Sequence, residues 1–197
     1  MTILISLRHA WPARKMPHNR PRSDQYQQPL DFAMRPIRGE DIPAVMGVET
    51  AAYPHPWTEG IFRDCLRVGY CCWVLMAFEE VVGYGVMSAA AGECHILNVC
   101  VHPQTQRQGL GRRILRRLLA TGCSRNADTA FLEVRASNHA ALGLYSQEDF
   151  CEGRRRRGYY PLAAGCEDAV IMARPLARDR PGRIEYEKSE PTASMRH

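Results

Sequence analysis

The chain has 197 residues, 45% of them hydrophobic, which suits one domain with an apolar core and is short for several. Lysine and arginine number 26 against 21 acidic residues, a formal charge of +5 gathered in arginine clusters; such a surface favours phosphate-bearing ligands or ribosomal neighbours without requiring a nucleic-acid role. No apolar run approaches the ~18 residues of a membrane helix, and none of the eight cysteines (65, 71, 72, 94, 100, 123, 151 and 166) stands in a C-x-x-C pair, so the reading is a cytoplasmic chain, with no membrane association, no bound metal and reduced, buried thiols.

Met1 to Leu7 is too short for the apolar core of a secretion signal and has no charged segment before it. Residues 8–33 carry arginine, proline, glutamine and histidine without periodicity. Residues 1–33 are therefore expected to be a flexible extension, either an artefact of gene calling with Met34 as the biological start or a basic arm that touches RNA. Residues 34–176 form the expected folded domain, and the charged, proline-containing residues 177–197 a flexible tail. Within the domain, Asp41 can cap a helix carrying Ile42, Val45, Met46 and Val48, with Pro43 in its first turn. Thr58 can cap a second helix that turns Ile61, Phe62, Cys65 and Leu66 inward. Strands follow at about 72–78, 81–88 and 93–101, joined by Glu79-Glu80 and by Ala89 to Gly92.

After the third of these strands stands Arg107-Gln-Gly-Leu-Gly-Arg112, followed by a helix with an apolar stripe of Ile114, Leu115, Leu118 and Leu119 and a stop expected near Gly122. Two glycines let backbone N–H groups approach a ligand, and the positive end of the following helix points at the same place. The arrangement suits an anion such as a pyrophosphate. It is not a dinucleotide loop, because Ile114 occupies the place of the third glycine, and not a P-loop, because Arg112-Arg113 replaces Lys-Ser/Thr. The glycine pattern alone equally describes an ordinary strand-to-helix turn. A short strand over 129–134, a helix opening at Ser137 or Asn138, and strands near 150–159 and 168–174 complete a mixed α/β chain, a mixed sheet flanked by helices.

Val101-His-Pro-Gln-Thr-Gln-Arg-Gln-Gly-Leu-Gly-Arg112 resembles the acetyl-CoA pyrophosphate loop of the GNAT N-acetyltransferases, whose pattern is Gln/Arg-x-x-Gly-x-Gly/Ala. Leu132-Glu-Val-Arg-Ala-Ser-Asn-His-Ala-Ala-Leu-Gly-Leu-Tyr145 resembles that family's second hallmark. Arg157-Gly-Tyr-Tyr-Pro161, followed by Glu167-Asp-Ala-Val-Ile-Met172, is similar to one branch, the bacterial ribosomal-protein-alanine N-acetyltransferases. The resemblance covers Met34 to Leu176 and implies the GNAT fold, a central twisted mixed sheet whose fourth and fifth strands splay to form a slot for acetyl-CoA. The implied acceptor is the N-terminal alanine of a ribosomal protein, small-subunit protein eighteen, attacked directly in a ternary complex by a monomeric enzyme.

An α-amine with a pKa near 8 is mostly protonated at neutral pH, so a base assists its attack on a thioester. Glu133 lies in the apolar run Phe131 to Val134, where alternation turns it away from Leu132, either to solvent or to a site; the resemblance implies the general base. Tyr145, seven residues after Asn138 and so on the same helix face, is either an aromatic packing residue or the acid that protonates the departing thiolate, the role the resemblance implies. The cofactor-binding residues expected by resemblance are Val99, Cys100 and Val101 on a bulged strand, the amides of Arg107, Gln108, Gly109, Leu110, Gly111 and Arg112 with arginine side chains assisting, and Asn138. Tyr53 and Trp57 on one side, and Tyr159 and Tyr160 after Arg154–Arg157 on the other, are expected to border the acceptor or else to pack loops on the sheet. A lysine or small-molecule amine as acceptor, or a non-catalytic acyl-CoA-binding or ribosome-associated module, are the competing readings. One departure from the family pattern stands out: Asp149 replaces a turn glycine, and an intact left-handed turn is expected there.

Overall fold

The structure, a computed structural model, describes residues 32–161 and 165–176, so the expectations for residues 1–31 and 177–197 lie outside the described residues. The strands are β1 (Phe32–Pro36), β2 (Cys71–Ala77), β3 (Glu80–Ala90), β4 (Glu93–Val101), β5 (Thr129–Arg135), β6 (Cys151–Pro161) and β7 (Cys166–Pro175). The helices are α1 (Ile42–Ala52), α2 (Glu59–Arg67), α3 (Leu110–Ser124) and α4 (His139–Gln147). All strands join one sheet in the order β1-β2-β3-β4-β5-β7-β6, antiparallel throughout except for the parallel pair β4–β5. This is the mixed α/β architecture expected from the sequence, with β1 opening two residues ahead of Met34.

Strand alternation divides the core between the two faces. On β2, Cys71 and Leu75 join Met87, Val99, Ile114, Leu115 and Leu118 on the face covered by α3, where Tyr145 and Ala141 of α4 also pack. Cys72 and Val74 point the other way and meet Val45, Val48, Phe62 and Tyr84 under α1 and α2. Five cysteines (65, 71, 72, 94 and 100) are buried as free thiols, whereas Cys151 and Cys166 are exposed.

Helix ends differ from the sequence reading at three places. The Asp41 carboxylate does not cap α1; it accepts the Arg38 amide at 2.7 Å and both Arg35 guanidinium nitrogens at 2.6 and 2.7 Å, which hold its pKa below the usual carboxylate value despite partial burial. Thr58 precedes α2 in extended conformation without a side-chain cap. α3 ends at Ser124, near the expected stop, but Gly122 lies inside the helix rather than after it, where a Cβ would come 2.9 Å from Cys94 Sγ.

Three helices close with the same paired hydrogen bonds. The amides of Tyr70, Ala127 and Phe150 reach back five residues to Cys65, Gly122 and Tyr145, and those of Gly69, Asn126 and Asp149 reach back three. Gly69, Asn126 and Asp149 carry the required positive φ of 78°, 61° and 61°. The turn at Asp149 is thus intact and left-handed, as expected.

Two outcomes follow for stability. Asp149→Gly should leave stability unchanged or raise it by up to about 1 kcal/mol, since glycine meets no Cβ penalty at this φ. Gly85→Ala should cost about 1–3 kcal/mol in urea denaturation, because its new Cβ would lie 2.6 Å from Ile114 Cγ2 and 3.0 Å from Leu118 Cδ1.

Candidate active site

β4 and β5 pair only over four residues, Glu93–Ile96 against Thr129–Leu132. At that point β4 is bulged: Met87 faces Ile96 and Val86 faces Asn98, leaving Leu97 as the extra residue. The remainder of β4 stays with β3 while β5 stays with β7, and a cleft of about 1090 Å³ opens at the parting. The expected splay of strands four and five is therefore present. Val99, Cys100 and Val101 line one wall; Arg135, Ser137, Asn138 and Leu144 line the other.

The backbone supplies most of the polar groups. The His102 amide donates to Val82 at 2.8 Å, and antiparallel pairing alternates along the strand. Val99 and Val101 consequently turn their N–H groups away from β3, toward the cleft. The end of the cleft is α3, which begins after Gly109 at φ 76° with no side-chain cap. Its first intrahelical bond runs from the Arg113 amide to Gly109, so the amides of Leu110, Gly111 and Arg112 are open to an anion. The preceding loop is pinned by Gln106, whose Nε2 donates to the Val101 carbonyl at 3.0 Å.

Of the ten residues expected to bind acetyl-CoA, all but Gln108 line this cleft. The arginines behave differently from one another. Arg107, exposed and left-handed at φ 67°, has no acidic partner among the described residues. Arg112, by contrast, is held by Glu148 at 2.9 Å and by Gln147 while it also lines the cleft. Glu148, 6% exposed, also takes a two-pronged contact from Arg116 at 2.9 Å and was not foreseen from sequence. Asn138 caps α4, its Oδ1 accepting the Ala141 amide at 3.1 Å, while its Nδ2 is buried on the cleft lining with no partner among the described residues. That free amide, the open strand edge and the three helix amides fit the amide-rich arm and pyrophosphate of acetyl-CoA.

Glu133 and Tyr145 flank the parting without lining the cleft. Leu132 and Val134 face α3, so Glu133 projects from the opposite face, where its Oε1 lies 3.2 Å from Arg156 Nη1. Its Oε2 is buried without a hydrogen bond among the described residues. Tyr145 belongs to the α3 face, fully buried, its ring 5.8 Å from Phe150 and its hydroxyl without a hydrogen bond among the described residues. Burial pushes the Tyr145 phenol well above its usual pKa, with Tyr160 adding to the effect, so the group stays a proton donor. Cys100, also fully buried, has its thiol pKa raised by desolvation, which leaves no thiolate nucleophile.

The four expected acceptor residues separate by burial. Tyr53 and Trp57 are 5% and 8% exposed, in the core under α1 and α2. Tyr53 reaches the parting from below, its hydroxyl 3.3 Å from Asn98 Oδ1 and 3.4 Å from the Val99 carbonyl. Tyr159 is 39% exposed with Arg156 over its ring at 5.3 Å, and Tyr160 is buried with Arg135 over its ring at 4.4 Å. Arg135 is itself anchored by Glu167 at 3.3 Å, and Glu167 also accepts the Ser137 amide at 2.6 Å. Burial raises the Glu167 pKa, but those hydrogen bonds outweigh it and the net direction is down. Among the described residues no group of histidine, cysteine and acidic side chains is arranged to hold a metal.

Residues 42–150 match the acetyltransferase (GNAT) family. The chain is 39% identical over 137 residues to the ribosomal protein bS18-alanine N-acetyltransferase of Salmonella typhimurium, covering 70% of this chain and 93% of the relative. The crystal structure of the ribosomal-protein-S18-alanine N-acetyltransferase from Escherichia coli superimposes with a TM-score of 0.71 at 36% identity, covering 74% of this chain and 94% of that one. Arabidopsis thaliana NAA60 in complex with acetyl-CoA shares the fold, with a TM-score of 0.66 at 16% identity over 74% of this chain and 98% of its own.

Because the Tyr145 hydroxyl is buried without a hydrogen bond among the described residues, Tyr145→Phe should leave stability unchanged or raise it by about 1 kcal/mol. Urea denaturation checks this; a loss above that size would reveal a structural partner for the hydroxyl.

Proposed function

The chain belongs to the GNAT acetyltransferase family and is an acetyl-CoA-dependent acetyltransferase, and we propose that it acetylates the N-terminal alanine amine of ribosomal protein bS18. The observation that carries this reading is the 39% identity to the Salmonella typhimurium enzyme across 93% of that enzyme's length. We place the reaction in the cytoplasm. The buried cysteines, all free, support a reducing setting, and no helix among the described residues is long and apolar enough to cross a membrane.

Acetyl-CoA supplies an activated acyl carbon, and each protein group then has a task set by its position. The amides of Leu110, Gly111 and Arg112, with the Arg107 guanidinium, hold the pyrophosphate. Asn138 Nδ2 and the open edge of β4 hold the pantetheine arm as though it were an added strand. The Val99 N–H donates to the thioester oxygen, which gains negative charge as the amine nitrogen bonds to the carbon. Glu133 takes the amine's proton, directly or through one water, from the face opposite α3. Tyr145 gives its proton to sulfur as the carbon–sulfur bond breaks. Base and acid on opposite faces of the parting let the amine arrive from one side and the thiol leave on the other. The unpartnered Glu133 Oε2 and Tyr145 hydroxyl support these assignments, since both atoms await something outside the protein.

Mass spectrometry of a short alanine-initiated peptide, with an N-blocked, lysine-containing control, tests the acceptor. Acetyl on the alanine amine alone is expected; acetyl on lysine, or none on either peptide, would overturn the reading. Glu133→Gln should lower kcat about 10²-fold or more while acetyl-CoA binding stays within about twofold. An unchanged kcat would remove Glu133 as the base.

A further inference from the structure

Beneath the acceptor side of the parting lies a carboxylate that the chemistry above does not use. Glu49 of α1 is 1% exposed, and among the described residues no lysine, arginine or histidine pairs with it. A carboxylate buried without a counter-ion is costly. Burial raises its pKa, opposed by hydrogen bonds from Tyr84 and the Trp57 backbone. A hydrophobic residue would suit the position better, between Val45 and Phe62, unless the oxygens themselves are needed.

What they hold is the connection between α1 and α2. Glu49 Oε1 accepts the Trp57 amide at 2.7 Å, and the Glu49 backbone carbonyl accepts the Tyr53 amide at 3.0 Å. The carboxylate thus holds the Trp57 end of Tyr53-Pro54-His55-Pro56-Trp57, a segment whose two prolines have no N–H to offer, while the Tyr53 end is closed by the last backbone bond of α1. Oε2 accepts the Tyr84 hydroxyl and so ties the same grip to β3. From there the contacts run on to the cleft: Tyr84, Cys100 and Tyr53 share one buried cluster, and the Tyr53 hydroxyl meets Asn98 and the Val99 carbonyl.

We propose that Glu49 is the positioning residue of the acceptor wall: by tying the Trp57 end of the Tyr53–Trp57 segment to Tyr84 of β3, its carboxylate sets the shape of the surface that receives the acceptor's N-terminus. The inference rests on the acceptor reading above. Reach and hydrogen-bond acceptance matter here more than charge. A glutamine keeps an oxygen for the Trp57 amide and an NH₂ that can donate to the Tyr84 oxygen. An aspartate is one methylene too short, and an alanine keeps the backbone bond to Tyr53 but offers nothing to Trp57 or Tyr84.

The test compares Glu49→Gln, Glu49→Asp and Glu49→Ala with wild type in three measurements: KM for an alanine-initiated peptide, Kd for acetyl-CoA, and amide hydrogen exchange over residues 53–57. Loss of a hydrogen bond to a charged acceptor should raise peptide KM about tenfold or more in the Asp and Ala variants. In both, acetyl-CoA Kd should stay within about twofold and exchange over 53–57 should quicken, while the Gln variant stays within about threefold of wild type throughout. Should Glu49→Ala not fold, the Asp and Gln pair carries the comparison. Unchanged peptide KM in a folded Asp or Ala variant, an equal loss of acetyl-CoA affinity, or a Gln variant as impaired as Ala would each overturn the proposal. If wild type itself leaves the alanine peptide unmodified, the acceptor reading has failed, and unchanged exchange in the Asp and Ala variants would defeat the clamp separately.

Discussion

A central pair of strands that stops pairing leaves backbone donors and acceptors with nowhere to go, and the molecule is arranged around that deficit. β4 and β5 share only four residues of parallel ladder before the bulge at Leu97 turns β4 aside. An N–H inside a protein must find a partner or bear the cost of its burial. Here the partners lie outside the chain: the Val99 and Val101 amides face a cleft, and the first amides of α3 face the same space. In the proposed mechanism the extended arm and the pyrophosphate of acetyl-CoA answer those two sets of donors in turn. Binding and catalysis thus start from one register shift, and the acid and base need only be placed on either side of it.

Carboxylates withdrawn from solvent do the placing. Glu148 fixes Arg112 and Arg116 and so ties the start of α3 to the end of α4, one helix bearing the anion-binding amides and the other Tyr145. Glu167 secures Arg135 and the Ser137 amide just ahead of Asn138. Asp41 gathers Arg35 and the Arg38 amide at the approach to α1. Each buries charge against good hydrogen-bond donors, the circumstance in which burial is tolerated. Such groups contribute geometry more than stability.

Much of this was legible in the residues themselves. Alternation and turn glycines placed the strands to within a few residues, and the run Arg107 to Arg112 marked the anion loop because glycine at φ 76° and a helix start leave a recognisable spacing. The errors share a cause. Gly122 read as a helix stop because glycine is rare inside helices, yet it is there so that α3 can lie against Cys94. Asp41 read as a cap, but its oxygens were claimed by Arg35 from another element. Glu148, 36 residues from Arg112 in sequence, holds that arginine's side chain and went unseen. Contacts between distant segments leave no local pattern. Glu49 was different: a glutamate among Val45, Val48 and Ala52 on the inward stripe of α1 is an anomaly visible in the sequence alone.

The strand that faces the thioester carries a cysteine, and this has a chemical consequence. A thiolate beside a thioester is a natural rival acceptor, because acyl exchange between sulfur atoms is nearly balanced in energy and needs no base stronger than the thiolate itself. Cys100 turns its sulfur into the core under α1, where desolvation keeps the proton on it. Sulfur is present on the donor strand but chemically silent. Fidelity toward nitrogen is in this sense partly a property of the interior, enforced by dryness before any acceptor has arrived.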